Sequence, residues 1–321
     1  MTLWKSFRYW LEVGSVRLLA AIIPRLPRPV VFHLGHGVGS LATRLDRHGS
    51  KVALSNLEAA FGDQYSANER QHIVRQSYQQ FAGTMIDLFW SPRLNEKNFR
   101  QLIEFEGFDH FESTVGRANP HIFACYHYGN FEILSLGCGW VGITPHIITQ
   151  EFKNGALDPI FNQLRTRSGH RIIPRDGGIV RLYKALRRGG SVAILVDLAL
   201  QLHQPTVAID CFGLKTSVTF AHAWLAEKTG APIVPVHAEP LPGGRCRIVL
   251  HPKLEIPTGA THQQVAQLCW DRFEPVVRRN PAPWMWMYKY WRYQPNGAAR
   301  TYPGYARPSA RFDALLAESA G

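Results

Sequence analysis

The chain has 321 residues, and its content of 45% hydrophobic and 12% aromatic residues is enough for a sizeable core, which excludes a disordered protein. A formal net charge of +12 leaves three kinds of partner open: nucleic acid, an anionic membrane surface, or an acidic protein or substrate. A solvated basic face is an equally good interpretation of the charge alone. The five cysteines include no C-x-x-C pair, so we expect neither a disulfide framework nor a metal site.

The N-terminal residues are apolar but interrupted by charge. Residues 9–23 contain Glu12 and Arg17, and the apolar run is shorter than the roughly 20 residues that a spanning helix needs. We therefore expect an interfacial helix anchored by Trp4 and Trp10, with an ordinary buried helix as the alternative. The sequence thus predicts a membrane-associating helical region over residues 1–48.

Two helical patterns follow and form a predicted helical lead-in over residues 49–105. Residues 50–62 are typical of a short helix that ends at Gly62. Residues 68–90 carry apolar side chains at helical spacing, with Ser66 or Asn68 as the cap.

The middle of the chain alternates short apolar runs with helical patterns. The predicted strands are 121–127, 191–197, 231–239 and 245–252. The predicted helices are 131–140, 156–168, 178–188, 218–229 and 262–279. This alternation predicts an α/β fold, a mixed sheet flanked by helices, within one domain over residues 49–321. The aromatic segment 283–293 (PWMWMYKYWRY) is either packed on this core or exposed to lipid, and core packing is favoured.

One strand end carries a pattern with catalytic potential. A buried strand runs to His127, Gly129 permits a tight turn, and Asn130 is a good cap for a helix whose first turn contains Glu132. A neutral histidine can take a proton from an alcohol, and a carboxylate on its other ring nitrogen would fix the tautomer. On spacing alone, however, a structural histidine is the commoner explanation of an H-x-x-x-x-E pattern.

The segment His-Tyr-Gly-Asn-Phe-Glu (127–132) resembles the H-x4-E/D box of the bacterial lipid A biosynthesis acyltransferase family, which includes lauroyl and myristoyl acyltransferases. Four further stretches resemble that family in the same order, so that the likeness spans roughly residues 15–295: 53–61 (ALSNLEAAF), 165–175 (RTRSGHRIIPR), 184–197 (KALRRGGSVAILVD) and 211–235 (CFGLKTSVTFAHAWLAEKTGAPIVP).

The resemblance implies a glycerolipid-acyltransferase-like fold and a catalytic pair, with His127 as general base and Glu132 as its orienting carboxylate. It further implies that substrate is bound by Arg165 or Arg167, with Arg175 as a weaker candidate, and that Asp197 lines the site.

The implied reaction transfers a fatty acyl group from an acyl carrier protein thioester to a hydroxyl of a lipid, with a lipid A precursor as the first acceptor to consider. It uses no cofactor and takes place at the cytoplasmic side of the inner membrane. The acidic carrier protein would account for the basic charge. Coenzyme A remains open as the donor.

The sequence also departs from the family pattern. Leu198 stands where the family often has Gln, and the C-terminal Trp-x-His-Arg-Arg box reads Trp-Met-Tyr-Lys-Tyr from Trp286. These differences keep other acceptors open: a different glycolipid, an aminolipid or a pigment lipid. A non-enzymatic basic protein that binds membrane lipid or nucleic acid is the third interpretation. We do not expect nucleic-acid binding, because the sequence contains no motif for it.

Overall fold

The structure is a computed structural model that describes residues 3–318. The N-terminal quarter is helical, as the apolar spacing predicts. Its four helices are α1 (Leu3–Ile22), α2 (Arg28–Leu45), α3 (Arg47–Phe61) and α4 (Ala67–Trp90). Helix α4 begins with a capping box, in which Ser66 and Glu69 each bind the other's backbone N–H.

Helices α1 and α2 leave a broad apolar surface uncovered. On α1 the indoles of Trp4 and Trp10 are 73% and 70% exposed, and on α2 the side chains of Leu41 and Leu45 are 55% and 73% exposed. Between residues 3 and 318, no helix combines the length and the apolar character needed to cross a bilayer. Membrane attachment through residues 1–48 therefore stays a prediction, as does the domain division at residue 48.

The remaining chain alternates strands and helices. The strands are β1 (Ile103–Glu106), β2 (Ile122–Cys125), β3 (His146–Thr149), β4 (Arg171–Pro174), β5 (Val192–Leu195), β6 (Thr206–Cys211), β7 (Leu214–Thr219), β8 (Ile233–Leu241), β9 (Arg245–Leu250), β10 (Tyr293–Gln294) and β11 (Arg307–Pro308). The helices are α5 (Phe108–Thr114), α6 (Phe131–Trp140), α7 (Asp158–Arg165), α8 (Gly178–Arg187), α9 (Ala221–Thr229), α10 (His262–Arg279) and α11 (Ala310–Glu318).

Seven strands form the main sheet in the order β1-β9-β8-β2-β5-β3-β4. The strands from β8 to β4 are mutually parallel, whereas β9 is antiparallel to β8 and carries the parallel strand β1 on its outer side. Helices cover the sheet, so the predicted α/β class with a mixed sheet and flanking helices is confirmed.

Two apolar cores lie on the two faces of the sheet. Along β2, Ile122 and Ala124 belong to one core while Phe123 and Cys125 belong to the other. This alternation is the two-residue period of a strand that is buried on both faces. It explains why residues 121–127 form a continuous apolar run in the sequence.

The structure changes some predicted elements. The helix expected over 218–229 begins only at Ala221, because Leu214–Thr219 pairs with Thr206–Cys211 in an antiparallel hairpin. The helix expected over 156–168 is shorter, Asp158–Arg165. The aromatic segment 283–293 packs into the core, as favoured, with Trp284, Trp286, Tyr290 and Trp291 at most 1% exposed.

Candidate active site

His127 and Asp197 meet at the carboxyl edge of the sheet. His127 follows β2 by two residues and Asp197 follows β5 by two residues, and these two strands are parallel neighbours. The Nδ1 atom of His127 lies 2.8 Å from Oδ1 of Asp197, and the backbone N–H of His127 donates to Oδ2 at 2.9 Å. The topology therefore brings together two residues that are 70 positions apart.

This pairing fixes the tautomer of the imidazole. A carboxylate that accepts at Nδ1 keeps the proton on that nitrogen and leaves Nε2 as the basic atom. Within residues 3–318, Nε2 has no hydrogen-bond partner, and the His127 side chain is 12% exposed. Nε2 is thus the ring nitrogen that no described protein group occupies.

Trp284 also binds the carboxylate of Asp197. Its indole Nε1 donates to Oδ2 of Asp197 at 2.9 Å, and both side chains are buried. The backbone N–H of Gly129 also donates to the carbonyl of Pro283 at 3.0 Å, which ties the His127 loop to the C-terminal segment. The sequence singled out this aromatic segment as core but did not predict that one indole would contact the site.

Glu132 does not make the contact that the sequence predicted. Its carboxylate accepts from Nε of Arg165 at 3.1 and 3.0 Å, and the same guanidinium adds a further bond through Nη2. In the described part of the chain, no hydrogen bond joins Glu132 to His127. The expected His127–Glu132 contact is therefore wrong, because the neighbouring strand supplies the partner of the imidazole and Arg165 occupies both oxygens of Glu132.

The turn between His127 and α6 depends on glycine. Gly129 has φ of 60°, and a Cβ atom there would lie 1.9 Å from the carbonyl oxygen of Ala238. Asn130 caps α6 as predicted, with Oδ1 accepting from the N–H of Ile133 at 3.0 Å. This backbone places Glu132 in the first turn of α6.

A buried network of hydrogen bonds holds the turn between His127 and α6. The amide of Asn130 donates to Oδ2 of Asp87 at 2.7 Å, and Arg28 binds both oxygens of the same carboxylate. Thr84 donates to the carbonyl of Gly129 at 3.1 Å. The turn is therefore tied to α4 and to the first turn of α2.

Arg167 and Arg175 bind neighbouring loops. Arg167 donates to the carbonyl of Pro92 at 3.3 Å, and Arg175 donates to Oε1 of Gln150 at 3.3 Å. Arg175 follows β4, which is three strands away from β2, or about 14 Å at the usual strand spacing. The structure thus brings Arg165 into contact with Glu132, whereas substrate binding by Arg167 and Arg175 stays a prediction.

Burial shifts the pKa of cysteine and histidine side chains outside the His127–Asp197 pair. It raises the pKa of the Cys125 thiol, so this cysteine stays protonated and is a poor nucleophile although it lies two residues from His127. Burial also lowers the pKa of His170, His222 and His251 to about 4, and the nearby His237 adds to this effect at His251. These three histidines are therefore neutral near pH 7.

Helix α1 lies at the same edge of the sheet as the His127–Asp197 pair. The hydroxyl of Tyr9 donates to the carbonyl of Lys153, and the Asn154 amide donates to the carbonyl of Tyr9 and to Glu12 at 3.1 and 3.0 Å. Residues 153 and 154 belong to the loop that leaves the carboxyl end of β3. Helix α1 therefore contacts a loop at the carboxyl edge of the sheet, where His127 and Asp197 also lie.

The sequence as a whole matches a known family of enzymes. The model of the family described as bacterial lipid A biosynthesis acyltransferase matches residues 2–293. The chain therefore belongs to this family and is an acyltransferase, as the sequence resemblance implied.

Individual relatives are similar over most of their length. The lipid A biosynthesis lauroyltransferase of Escherichia coli (strain K12) is 25% identical over 310 residues, which cover 92% of this chain and 95% of the relative. The lipid A biosynthesis myristoyltransferase of the same organism is 23% identical, with 93% of each chain covered. The phosphatidylinositol mannoside acyltransferase of Mycolicibacterium smegmatis is 23% identical over 83% of this chain and 88% of its own.

Proposed function

We propose that this enzyme transfers a fatty acyl group from acyl carrier protein to a hydroxyl group of a lipid A precursor. The observation that carries the proposal is the buried Asp197 carboxylate on Nδ1 of His127, which leaves Nε2 as a base at the carboxyl edge of the sheet. Family membership supports the acyl-transfer reaction, and the names of the Escherichia coli relatives support the acceptor.

His127 acts first as the general base and then as the general acid of the reaction. Nε2 of His127 takes the proton of the acceptor hydroxyl as its oxygen attacks the thioester carbonyl, and Asp197 stabilises the imidazolium that forms. The tetrahedral intermediate then collapses, the C–S bond breaks, and the thiolate takes the proton back from Nε2. No covalent acyl-enzyme is required.

Arg165 is proposed to stabilise negative charge beside this base. Its side chain is 22% exposed, and Glu132 holds it through Nε and Nη2, which leaves Nη1 free of partners in the described residues. A guanidinium fixed in this way suits either the developing oxyanion or a phosphate of a substrate. Glu132 thereby acts as a positioning residue for Arg165.

The proposed location is the cytoplasmic side of the inner membrane. The exposed apolar faces of α1 and α2 suit an interfacial attachment, and Lys5 and Arg8 on α1 suit an anionic surface. The basic net charge suits a negatively charged donor protein. The resemblance to the family implies acyl carrier protein as the donor, and coenzyme A, which is also anionic, is the alternative.

A second acceptor class is favoured by one specific finding. Relatives of similar identity are named phosphatidylinositol mannoside acyltransferases, so this family scaffold is associated with more than one glycolipid. The departures at Leu198 and after Trp286 also concern parts of the sequence that the resemblance assigns to substrate.

The test is a product analysis with the purified full chain. It would be incubated with acyl carrier protein thioesters and, separately, with coenzyme A thioesters, against a lipid A precursor and a phosphatidylinositol mannoside. Mass spectrometry should show one added acyl chain on the lipid A precursor, from the carrier-protein donor, and none with His127→Ala. Acylation of the mannoside alone would establish the second acceptor class, and acylation of neither lipid would contradict the proposal.

A further inference from the structure

A basic cleft lies at the edge of the sheet opposite the His127–Asp197 pair. It has a volume of about 510 Å³, and the cationic or titratable side chains that line it are Arg117, His146, Arg171, Arg181, Lys184 and Arg188. We refer to it as the basic cleft. No acidic residue is among the residues that line it.

Most of these cations have no protein partner. Arg117 pairs with Glu112 at 3.1 Å and donates to the carbonyl of Val141. By contrast, the side chains of Arg171, Arg181, Lys184 and Arg188 form no ion pair or hydrogen bond with any described residue. Four unpaired cations around one concavity repel one another, and a bound anion relieves this repulsion.

Helix geometry accounts for only part of this clustering. Arg181 and Lys184 lie on α8 and Arg188 directly follows its last residue, and their spacing of three and four residues directs them to one side of that helix. Cations near a helix C-terminus are favourable in themselves. Arg171 starts β4, however, and Arg117 precedes β2, so three separate chain segments direct positive charge into one space.

The walls of the cleft leave the backbone accessible. Gly189 and Gly190 line it, and Gly142 does so from the turn before β3. Ser191 adds a hydroxyl that has no hydrogen-bond partner in the described chain. The volume falls within the roughly 300–1,000 Å³ range of small-ligand pockets, which favours a compact ligand over a flat protein contact.

The position of the cleft separates it from the acyl-transfer chemistry. It includes Ser191, which precedes β5, whereas Asp197 follows β5, so the two lie about 20 Å apart along an extended strand. Helix α1, with its exposed aromatic residues, contacts the loop at the Asp197 edge. An enzyme attached to a membrane through α1 therefore turns the basic cleft toward water.

We propose that the basic cleft binds a soluble molecule with two or more phosphate groups. Guanidinium groups bind phosphate oxygens in pairs, and four unpaired cations match the charge of a diphosphate or triphosphate better than that of a single phosphate. The cleft faces away from the proposed membrane side, which disfavours a lipid headgroup. Its distance from His127 disfavours the donor's thioester arm.

The experiment is a calorimetric titration of the purified full chain with inorganic pyrophosphate at low salt. We expect one molecule bound per chain, with affinity reduced roughly tenfold or more in Arg181→Ala/Arg188→Ala, since each removed guanidinium takes away charge-assisted hydrogen bonds. The matched control is Arg187→Ala/Arg307→Ala, which removes the same charge from exposed positions outside the cleft and should bind within about twofold of the parent.

Other outcomes overturn the proposal. These are the absence of saturable pyrophosphate binding, or an equal loss of binding in the cleft variant and its control. Binding of the same two variants would also be measured to two other partners, separately: vesicles that contain anionic phospholipid, and acyl carrier protein. If the cleft variant lost binding to either while pyrophosphate did not bind, the cleft would be a membrane or protein contact and not a phosphate site.

Discussion

The chemistry of His127 depends on which carboxylate binds its Nδ1 atom. Asp197 makes that contact and is itself held by Trp284 and by the backbone N–H of His127, so its orientation is set by three hydrogen bonds. Glu132 is committed to Arg165. The two acidic residues therefore serve different groups, one the proposed base and the other the proposed anion-binding arginine.

Asp197→Asn tests the assignment of the orienting carboxylate. The amide can present its NH2 group to Nδ1 and favour the tautomer with the proton on Nε2, which cannot act as a base. We expect kcat for acyl transfer to fall by about 10²–10⁴-fold, while KM for the donor changes little. Steady-state kinetics within threefold of the parent would show that Asp197 does not orient His127.

Trp284→Phe tests the support of Asp197. The change removes one hydrogen bond to a buried carboxylate but keeps an aromatic ring in the core. A hydrogen bond to a charged group is worth about 1.5–3 kcal/mol, so we expect kcat to fall about tenfold or more. Trp286→Phe is the matched control, because its indole donates to the backbone carbonyl of Pro281 instead. An equal loss of kcat in both variants would indicate a general packing effect.

Two helices of the N-terminal region approach each other through glycine. A Cβ atom on Gly39 of α2 would lie 2.4 Å from Cα of Gln79 on α4, and one on Gly35 would lie 2.9 Å from Cα of Gly83. This close packing places Arg28, in the first turn of α2, against Asp87 of α4. Arg28 therefore links the His127 loop, through Asp87, to the N-terminal segment that the sequence predicts to associate with the membrane.

Gly39→Ala tests this contact. The added methyl group would force α2 away from α4, and we expect a loss of about 1–3 kcal/mol in the free energy of unfolding. Gly37→Ala is the control on the same helix, because a Cβ atom there meets no atom within 4 Å and alanine favours a helix by about 1 kcal/mol. Urea denaturation should therefore show a lower free energy of unfolding for Gly39→Ala and a higher one for Gly37→Ala. Destabilisation by both changes would contradict close packing specific to Gly39.

At the scale of the whole molecule, much of the fold could be predicted from the sequence. The buried parallel strands β2 and β5 appear as continuous apolar runs, and the caps at Ser66 and Asn130 mark helix starts. Strands β3 and β4 were missed because they lie toward the sheet edge. Their burial is partial, and the apolar run within each is only two isoleucines long, between His146 and Thr149 in β3 and between Arg171 and Pro174 in β4.

The candidate site residues could be named from the sequence and its resemblance to the family, but the contacts between them could not. His127, Glu132, Arg165 and Asp197 all stood out from the sequence, and the structure places them in two pairs. Spacing along the chain suggested that Glu132 binds His127, since nothing in the spacing shows which strand lies beside β2. Strand order, a long-range property of the fold, decided the pairing.

The exposed apolar face of α1 predicts where the enzyme meets a membrane. Replacing Trp4 and Trp10 with Ser removes two large exposed side chains, and we expect binding to anionic vesicles to weaken at least about tenfold. The control is Ile256→Ser, because Ile256 is an exposed apolar residue of the loop between β9 and α10 and not of α1. Unchanged sedimentation of the Trp4/Trp10 variant with vesicles would move the attachment to another surface.

The central claim is that Nε2 of His127 is the base for acyl transfer, and its most direct test is the single-turnover rate of the purified His127→Ala enzyme. The account predicts a rate at least about 10³-fold below that of the parent, with circular dichroism unchanged, because no other side chain takes the proton. A rate within tenfold of the parent, measured on the same acyl carrier protein thioester and lipid acceptor, would contradict it.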